Sequence, residues 1–181
     1  MAPLSPYAEE LRKAMVMLAL DQRVMFLGQA VGVPGTAMRT TLEDVPAEII
    51  IELPVEEDFQ LGLSIGLALR GNIVVSVFPR FNFLLLAMNQ LVNHLDKMRF
   101  LVGPEVQPRV IVRTSIGSEK PLDPGPQHKG DMTEAIRLMC PNIDVVRLDT
   151  PDQVLPAYRH ALERTDGKST VLVEWGDLHA V

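Results

Sequence analysis

The chain is short of cysteine, aromatic side chains, basic charge and long apolar runs, and each shortage excludes something. Only one of its 181 residues is cysteine, Cys140, so no disulfide forms within the chain and a reducing compartment is its simplest home. Aromatic residues make up 5% against 47% hydrophobic overall, so the core must be aliphatic, with nine methionines helping to fill it. Asp and Glu outnumber Lys and Arg by 23 to 17, a formal net charge of -6, and no basic run exceeds two residues. That argues against a nucleic-acid partner, which needs a basic face for phosphates. No stretch approaches ~18 uninterrupted apolar residues, and the opening MAPLSPYAEELRK has no apolar signal core. A soluble, cytoplasmic protein without a membrane partner is expected.

What is present is a regular alternation. Ser5 as N-cap, Pro6 at the first helical position and Glu9 and Glu10 in the opening turns predict a first helix, along which Leu11, Met15, Leu18 and Ala19 recur at helical spacing. Runs rich in β-branched residues follow: VMFLG, EIIIEL, NIVVSVF, RVIVRT, IDVVRL and TVLVEW. They are nearly continuous in apolar character, the pattern of central parallel strands covered on both faces. Helical patterns lie between them, roughly Asp58 to Arg70, Asn82 to Phe100, Asp131 to Met139 and Pro151 to Arg164, with Gly71 and Pro141 as stops. The alternation predicts an α/β fold, a doubly wound and mostly parallel sheet with helices on both faces. No internal repeat or low-complexity tract breaks it, and residues 1–181 read as a single domain.

In such sheets ligands bind beyond the carboxyl ends of the strands. Glu56 and Glu57 follow EIIIEL, and the sixteen-residue segment SIGSEKPLDPGPQHKG, Ser115 to Gly130, follows RVIVRT, so both belong to one rim. A loop that long inside a compact domain is usually functional or disordered. The paired carboxylates are also what a helix dipole favours in a first turn, and His128 in GPQHKG is either an acid–base group or a solvated loop histidine. Gly62 and Gly66, four apart, suit close helix–helix packing. Cys140 beside Pro141 reads as a small buried hydrophobe. His94, His160 and His179 lack metal-ligand spacing, no glycine-rich phosphate loop is present, and no nucleophile triad assembles.

Read together, LPVEEDFQLGLSIGLALRG, FPRFNFLLLAMNQLVNHLDKMRFLVG and GPQHKG resemble the pyrimidine-binding domain of thiamine-diphosphate enzymes. The similarity runs from the first helix to LVEWGDLH. Asn93-His94, Lys97-Met98-Arg99 and a GPQH rather than GPTH loop favour the beta subunits of 2-oxo-acid dehydrogenases, such as that of pyruvate dehydrogenase, over transketolase. The resemblance implies roles residue by residue. A glutamate hydrogen-bonds N1′ of the cofactor's aminopyrimidine and favours its imino tautomer, whose exocyclic nitrogen takes the proton from the thiazolium C2. Register from Pro54 through Gly62 and Gly66 assigns this to Glu57, while Glu56 falls where the family has a small polar residue. Phe83 is the ring against which the aminopyrimidine packs, Val55 and Pro79 line its pocket, and His128 faces the reacting carbon.

The resemblance also implies a partner. The chain carries neither the motif that holds magnesium and the diphosphate nor the C-terminal domain of dehydrogenase beta subunits, so thiamine diphosphate and Mg2+ would be held jointly with an alpha-type diphosphate-binding subunit, in a heterotetramer of two copies of each. No protein metal site is expected in this chain itself. The implied reaction is decarboxylation of a 2-oxo acid with acyl or aldehyde transfer. The alternatives are a ketol transferase acting on a ketose, and a non-catalytic scaffolding or regulatory subunit. Three departures stand out: Asp58-Phe59-Gln60 replaces Met-Gly-Phe, Gln29 and Ala30 replace acidic residues, and Arg164 with ERTDGKST occupies a turn where some relatives hold potassium.

Overall fold

A computed structural model describes residues 4–119 and 123–179. Six strands form one wholly parallel sheet in the order β2-β1-β3-β4-β6-β5: β1 Val24–Gly28, β2 Ile50–Glu52, β3 Ile73–Phe78, β4 Arg109–Ile116, β5 Asp144–Arg147 and β6 Thr170–Trp175. The expected α/β architecture is therefore observed. Side chains alternate across the sheet, so β3 sends Ile73, Val75 and Val77 into one core and Val74 and Phe78 into the other.

The first core is closed by α1 (Pro6–Ala19), α2 (Ala37–Thr41) and α7 (Pro151–Glu163). Helix α1 begins as expected, its Ser5 hydroxyl accepting a hydrogen bond from the Ala8 amide at 3.1 Å. The second core lies under α3 (Glu57–Leu69), the helical segment from Phe81 to Val102, and α6 (Thr133–Met139). Cys140 is fully buried there. Burial, with the Asp96 carboxylate beside it, pushes its thiol up to about 12, which leaves it an inert hydrophobe.

Three expectations need correction. The runs EIIIEL and IDVVRL form the two edge strands, and Ile51 is 37% exposed. A continuous apolar run does not distinguish an edge strand whose outer face awaits another surface. The expected helix from Asn82 to Phe100 is not one α-helix. It comprises α4 (Phe81–Leu84), a 3-10 turn at Leu85–Ala87, a π-helix at Asn89–Leu95 and α5 (Met98–Val102). The amide of Asp96 bonds the Leu91 carbonyl five residues back, at 3.0 Å. Finally, β4 runs on to Ile116, so the irregular segment begins at Gly117; its residues 120–122 lie outside the described residues. Among the described residues no helix is long and apolar enough to cross a membrane.

Candidate active site

Helix α3 buries Glu57, Gln60, Leu61, Ser64, Ile65 and Ala68, steps of three and four that make one stripe against the sheet. Glu57 opens that stripe and is only 5% exposed, whereas Glu56, one residue earlier, is the exposed N-cap position. The structure thus separates the two carboxylates. Glu57 makes no hydrogen bond or ion pair with another of the described residues. One turn further in, the Gln60 amide donates to Ser76 Oγ at 3.1 Å and to the Val77 carbonyl at 2.9 Å, leaving its own oxygen without a donor. Gly28 makes this approach possible, because a Cβ there would stand 2.2 Å from the Val77 carbonyl oxygen. Gly62 packs against Gln90, while Gly66 meets nothing, so only the first glycine serves helix packing within the chain.

Phe83 and His128 are brought together. Their ring centroids are 5.7 Å apart at an interplanar angle of 71°, an edge-to-face pair. Asn82 completes the group, its Oδ1 lying 3.1 Å from His128 Nδ1, while the Gln127 amide nitrogen lies 3.1 Å from Nε2. The Asn82 oxygen and the Gln127 amide nitrogen, as placed, suit a neutral imidazole with its proton on Nδ1. The His128 turn is seated on Gly117: a Cβ added there would be 1.9 Å from the His128 carbonyl oxygen. Sequence reasoning missed Asn82 and Gln60. Asn82 had a signal in its place directly before Phe83 in FNF, and Gln60 had one in the i, i+3 step from Glu57.

The other two expected pocket residues lie apart. Val55 is 72% exposed on the approach to α3. Pro79 turns the chain out of β3, its carbonyl accepting the Ser115 hydroxyl at 2.8 Å, and lines a cavity whose walls include none of Glu57, Phe83, Val55 or His128. The β1 loop is held by Glu52, which accepts the amides of Ala30 at 2.9 Å and Gly32 at 2.6 Å and keeps Ala30 at φ 58. Gln29 is buried there with its amide nitrogen unpartnered.

On the opposite face β4 and β6 hold a second buried glutamate. Glu174 accepts from Arg113 at 2.6 and 3.1 Å and from the Tyr158 hydroxyl at 2.6 Å, and His179 Nε2 lies 3.0 Å from it. Burial works to raise the Glu174 carboxyl, but the Arg113 guanidinium, together with His179, outweighs it and holds the group down at about 2. Arg164, at the end of α7, donates to Asp144, Asp166 and Thr170 at 2.6 to 2.8 Å, so a side-chain cation already occupies that turn.

Comparison with known proteins accords with this geometry. A family model described as "Transketolase, pyrimidine binding domain" matches residues 7–176. The 3-methyl-2-oxobutanoate dehydrogenase subunit beta of Mycobacterium tuberculosis (strain CDC 1551 / Oshkosh) is 31% identical over 156 residues, 82% of this chain and 43% of that protein. The pyruvate dehydrogenase E1 component subunit beta of Gracilaria tenuistipitata var. liui is 28% identical over 72% of this chain and 41% of its own length. A solved structure titled "Split gene transketolase, inactive beta4 tetramer" superposes with a TM-score of 0.68 at 16% identity, covering 92% of this chain and 50% of that one. The chain therefore spans half or less of the length of each of these relatives.

Proposed function

The chain belongs to the transketolase pyrimidine-binding domain family, and from that premise we propose that it is the pyrimidine-binding, beta-type part of a split thiamine-diphosphate enzyme acting on 2-oxo acids. The observation that carries the reading is Glu57, a largely buried residue at the start of α3 whose carboxyl makes no hydrogen bond or ion pair with another of the described residues, on the same sheet edge as Phe83 and His128. Its carboxyl is spent on no contact of the fold and is not among the side-chain atoms sealed from solvent without a partner, so it is free to meet a ligand at that edge. An aminopyrimidine fits these residues: a ring nitrogen for the carboxyl and a flat face for Phe83.

When bound, thiamine diphosphate supplies an acidic ring carbon that adds to the carbonyl of a 2-oxo acid and accommodates the electrons left by loss of carbon dioxide. Glu57 would hold a proton at N1′ of the aminopyrimidine. Phe83 would pack against the ring, Val55 would lie beside it, and Pro79 turns the chain into the helix that carries Phe83. Asn82 orients His128, whose Nε2 would exchange its contact with Gln127 for substrate, where it would stabilise charge or pass protons. Magnesium and the diphosphate belong to an alpha-type partner, and the working assembly is a cytoplasmic heterotetramer of two copies of each chain that hands the acyl or aldehyde unit to an acceptor.

Titration calorimetry tests the division of labour. The chain alone should bind thiamine diphosphate negligibly with or without magnesium, and the complex with its alpha-type partner should bind it in a magnesium-dependent way. Tight binding by the isolated chain, or none by the complex, would overturn the reading.

A further inference from the structure

Behind the His128 turn, on the α1 and α7 face of the sheet, lies a cavity of about 250 Å³ at the carboxyl ends of β1, β3, β4 and β6. We propose that it binds a small oxyanion, a phosphate or a short carboxylate, and that the bound anion steadies the His128 turn.

The chemistry of the walls carries the first half. Arg80 lines the cavity half-buried, and its guanidinium makes no hydrogen bond or ion pair with any other described residue. Ser118 lines it too, half-buried, with a hydroxyl that likewise has no partner among the described residues. The neighbouring hydroxyls are already committed: Ser115 donates to the Pro79 carbonyl at 2.8 Å and Thr36 to the Ala30 carbonyl at 2.8 Å. No carboxylate is among the lining residues. Three carboxylates stand outside the walls: Glu52 accepts the Ala30 and Gly32 amides, Asp177 accepts the Glu119 amide, and Glu174 sits beyond His179 and is matched by Arg113. What remains is one unmatched cation, one free hydroxyl donor and the unpartnered Nδ1 of His179 in a half-open recess at the sheet edge where α/β folds bind ligands, the donor set that recognises an oxyanion.

The chain path carries the second half, which rests on the proposed role of His128. Arg80 is the N-cap of α4, two residues before Asn82 and three before Phe83. Ser118 directly follows Gly117, whose missing Cβ is what seats the His128 carbonyl. An anion bridging Arg80 and Ser118 therefore ties together the two segments that grip His128.

Calorimetry of the full chain at constant ionic strength tests the site with three probes: inorganic phosphate, succinate, and glycerol as an uncharged control. Saturable binding at one site per chain is expected for phosphate, succinate or both, and none for glycerol. The probe that binds names the source of the oxyanion. Arg80→Met should weaken binding about 10- to 100-fold, the range for losing a charged hydrogen-bond partner. Ser118→Ala should weaken it about 3- to 10-fold, and Arg70→Met, which removes an exposed cation elsewhere, should leave it unchanged. The His128 ring resonances should move on titration of the wild type and stay still in Arg80→Met. No saturable binding of either anion, or equal binding by Arg80→Met and wild type, overturns the site. Binding without movement of the His128 signals overturns the coupling. Should Arg80→Met fail to fold, unchanged affinity in Ser118→Ala overturns the proposal on its own. None of these readouts involves thiamine diphosphate, so a chain that binds the anion yet never supports cofactor binding contradicts only the function proposed above.

Discussion

Two glutamates are buried at the carboxyl edge of the sheet, one on each face, and they have opposite surroundings. Glu174 on β6 has a guanidinium, a phenol and an imidazole about it and is fully enclosed. Glu57 at the head of α3 has no side-chain partner among the described residues. The α1 and α7 side matches its buried carboxylate within the chain, although Leu20 at the end of α1 is 80% exposed and the cavity beside Arg80 stays open. On the side of α3, Phe59 is 56% and Leu86 64% exposed. Such side chains are available to the partner proposed above. Glu174 is matched within the chain, whereas the Glu57 carboxyl is spent on no contact with another of the described residues, which is what the proposed cofactor role requires.

The largest expected effect comes from breaking the matched pair. Glu174→Gln leaves Arg113 buried without its counter-charge and should lower the unfolding free energy by roughly 3–5 kcal/mol, read from urea midpoints. Replacing both partners, Arg113→Met with Glu174→Leu, should recover most of that loss, because no uncompensated charge remains. If the double variant is as unstable as the single one, the pair does more than neutralise itself.

Acid should reach the same pair more gradually. The Glu174 carboxyl is depressed in the fold from an ordinary 4.5 to about 2. The stability it contributes is therefore fully present above about pH 4.5 and is lost as pH falls through about 2. Urea midpoints between pH 6 and pH 2 should fall in that window for the wild type, and the fall should be shallower in the Arg113→Met, Glu174→Leu variant.

The smallest effect on folding belongs to the α3 side. Phe59→Ser and Leu86→Lys should change the chain's own stability by no more than about 0.5 kcal/mol, as exposed substitutions do, yet reduce its assembly with a partner chain in sedimentation. Loss of stability without loss of assembly would mean that these residues belong to the chain's own core.

Much of this was legible in the sequence because it depends on local signals. The β-branched runs specify the strands, and Ser5-Pro6 specifies the start of α1. The choice of Glu57 over Glu56 comes from the family register through Pro54, Gly62 and Gly66 and not from periodicity, since the stripe α3 buries includes Gln60 and Ser64 while Phe59 is exposed. The π-helical turn at Asn89–Leu95 was not legible, since FNFLLLAMNQLV is apolar on more than one face and offers no single period to break. Helix α2 has five residues, too few for periodicity. The Asn82–His128 bond spans 46 residues and depends on the β3–β4 neighbour relation, which no local pattern contains. Pro79 lines the cavity behind the His128 turn.

The central claim is that Glu57, and not Glu56, is the carboxyl reserved for the cofactor. Hydrogen–deuterium exchange at C2 of thiamine diphosphate, measured in the complex reconstituted with its alpha-type partner, tests it most directly. Glu57→Gln keeps the size of the side chain and removes its transferable proton, so exchange should fall about 10²–10⁴-fold with assembly intact, while Glu56→Gln should exchange near the wild-type rate. If Glu56→Gln abolishes exchange and Glu57→Gln spares it, or if neither variant slows a complex that turns over, the assignment is wrong.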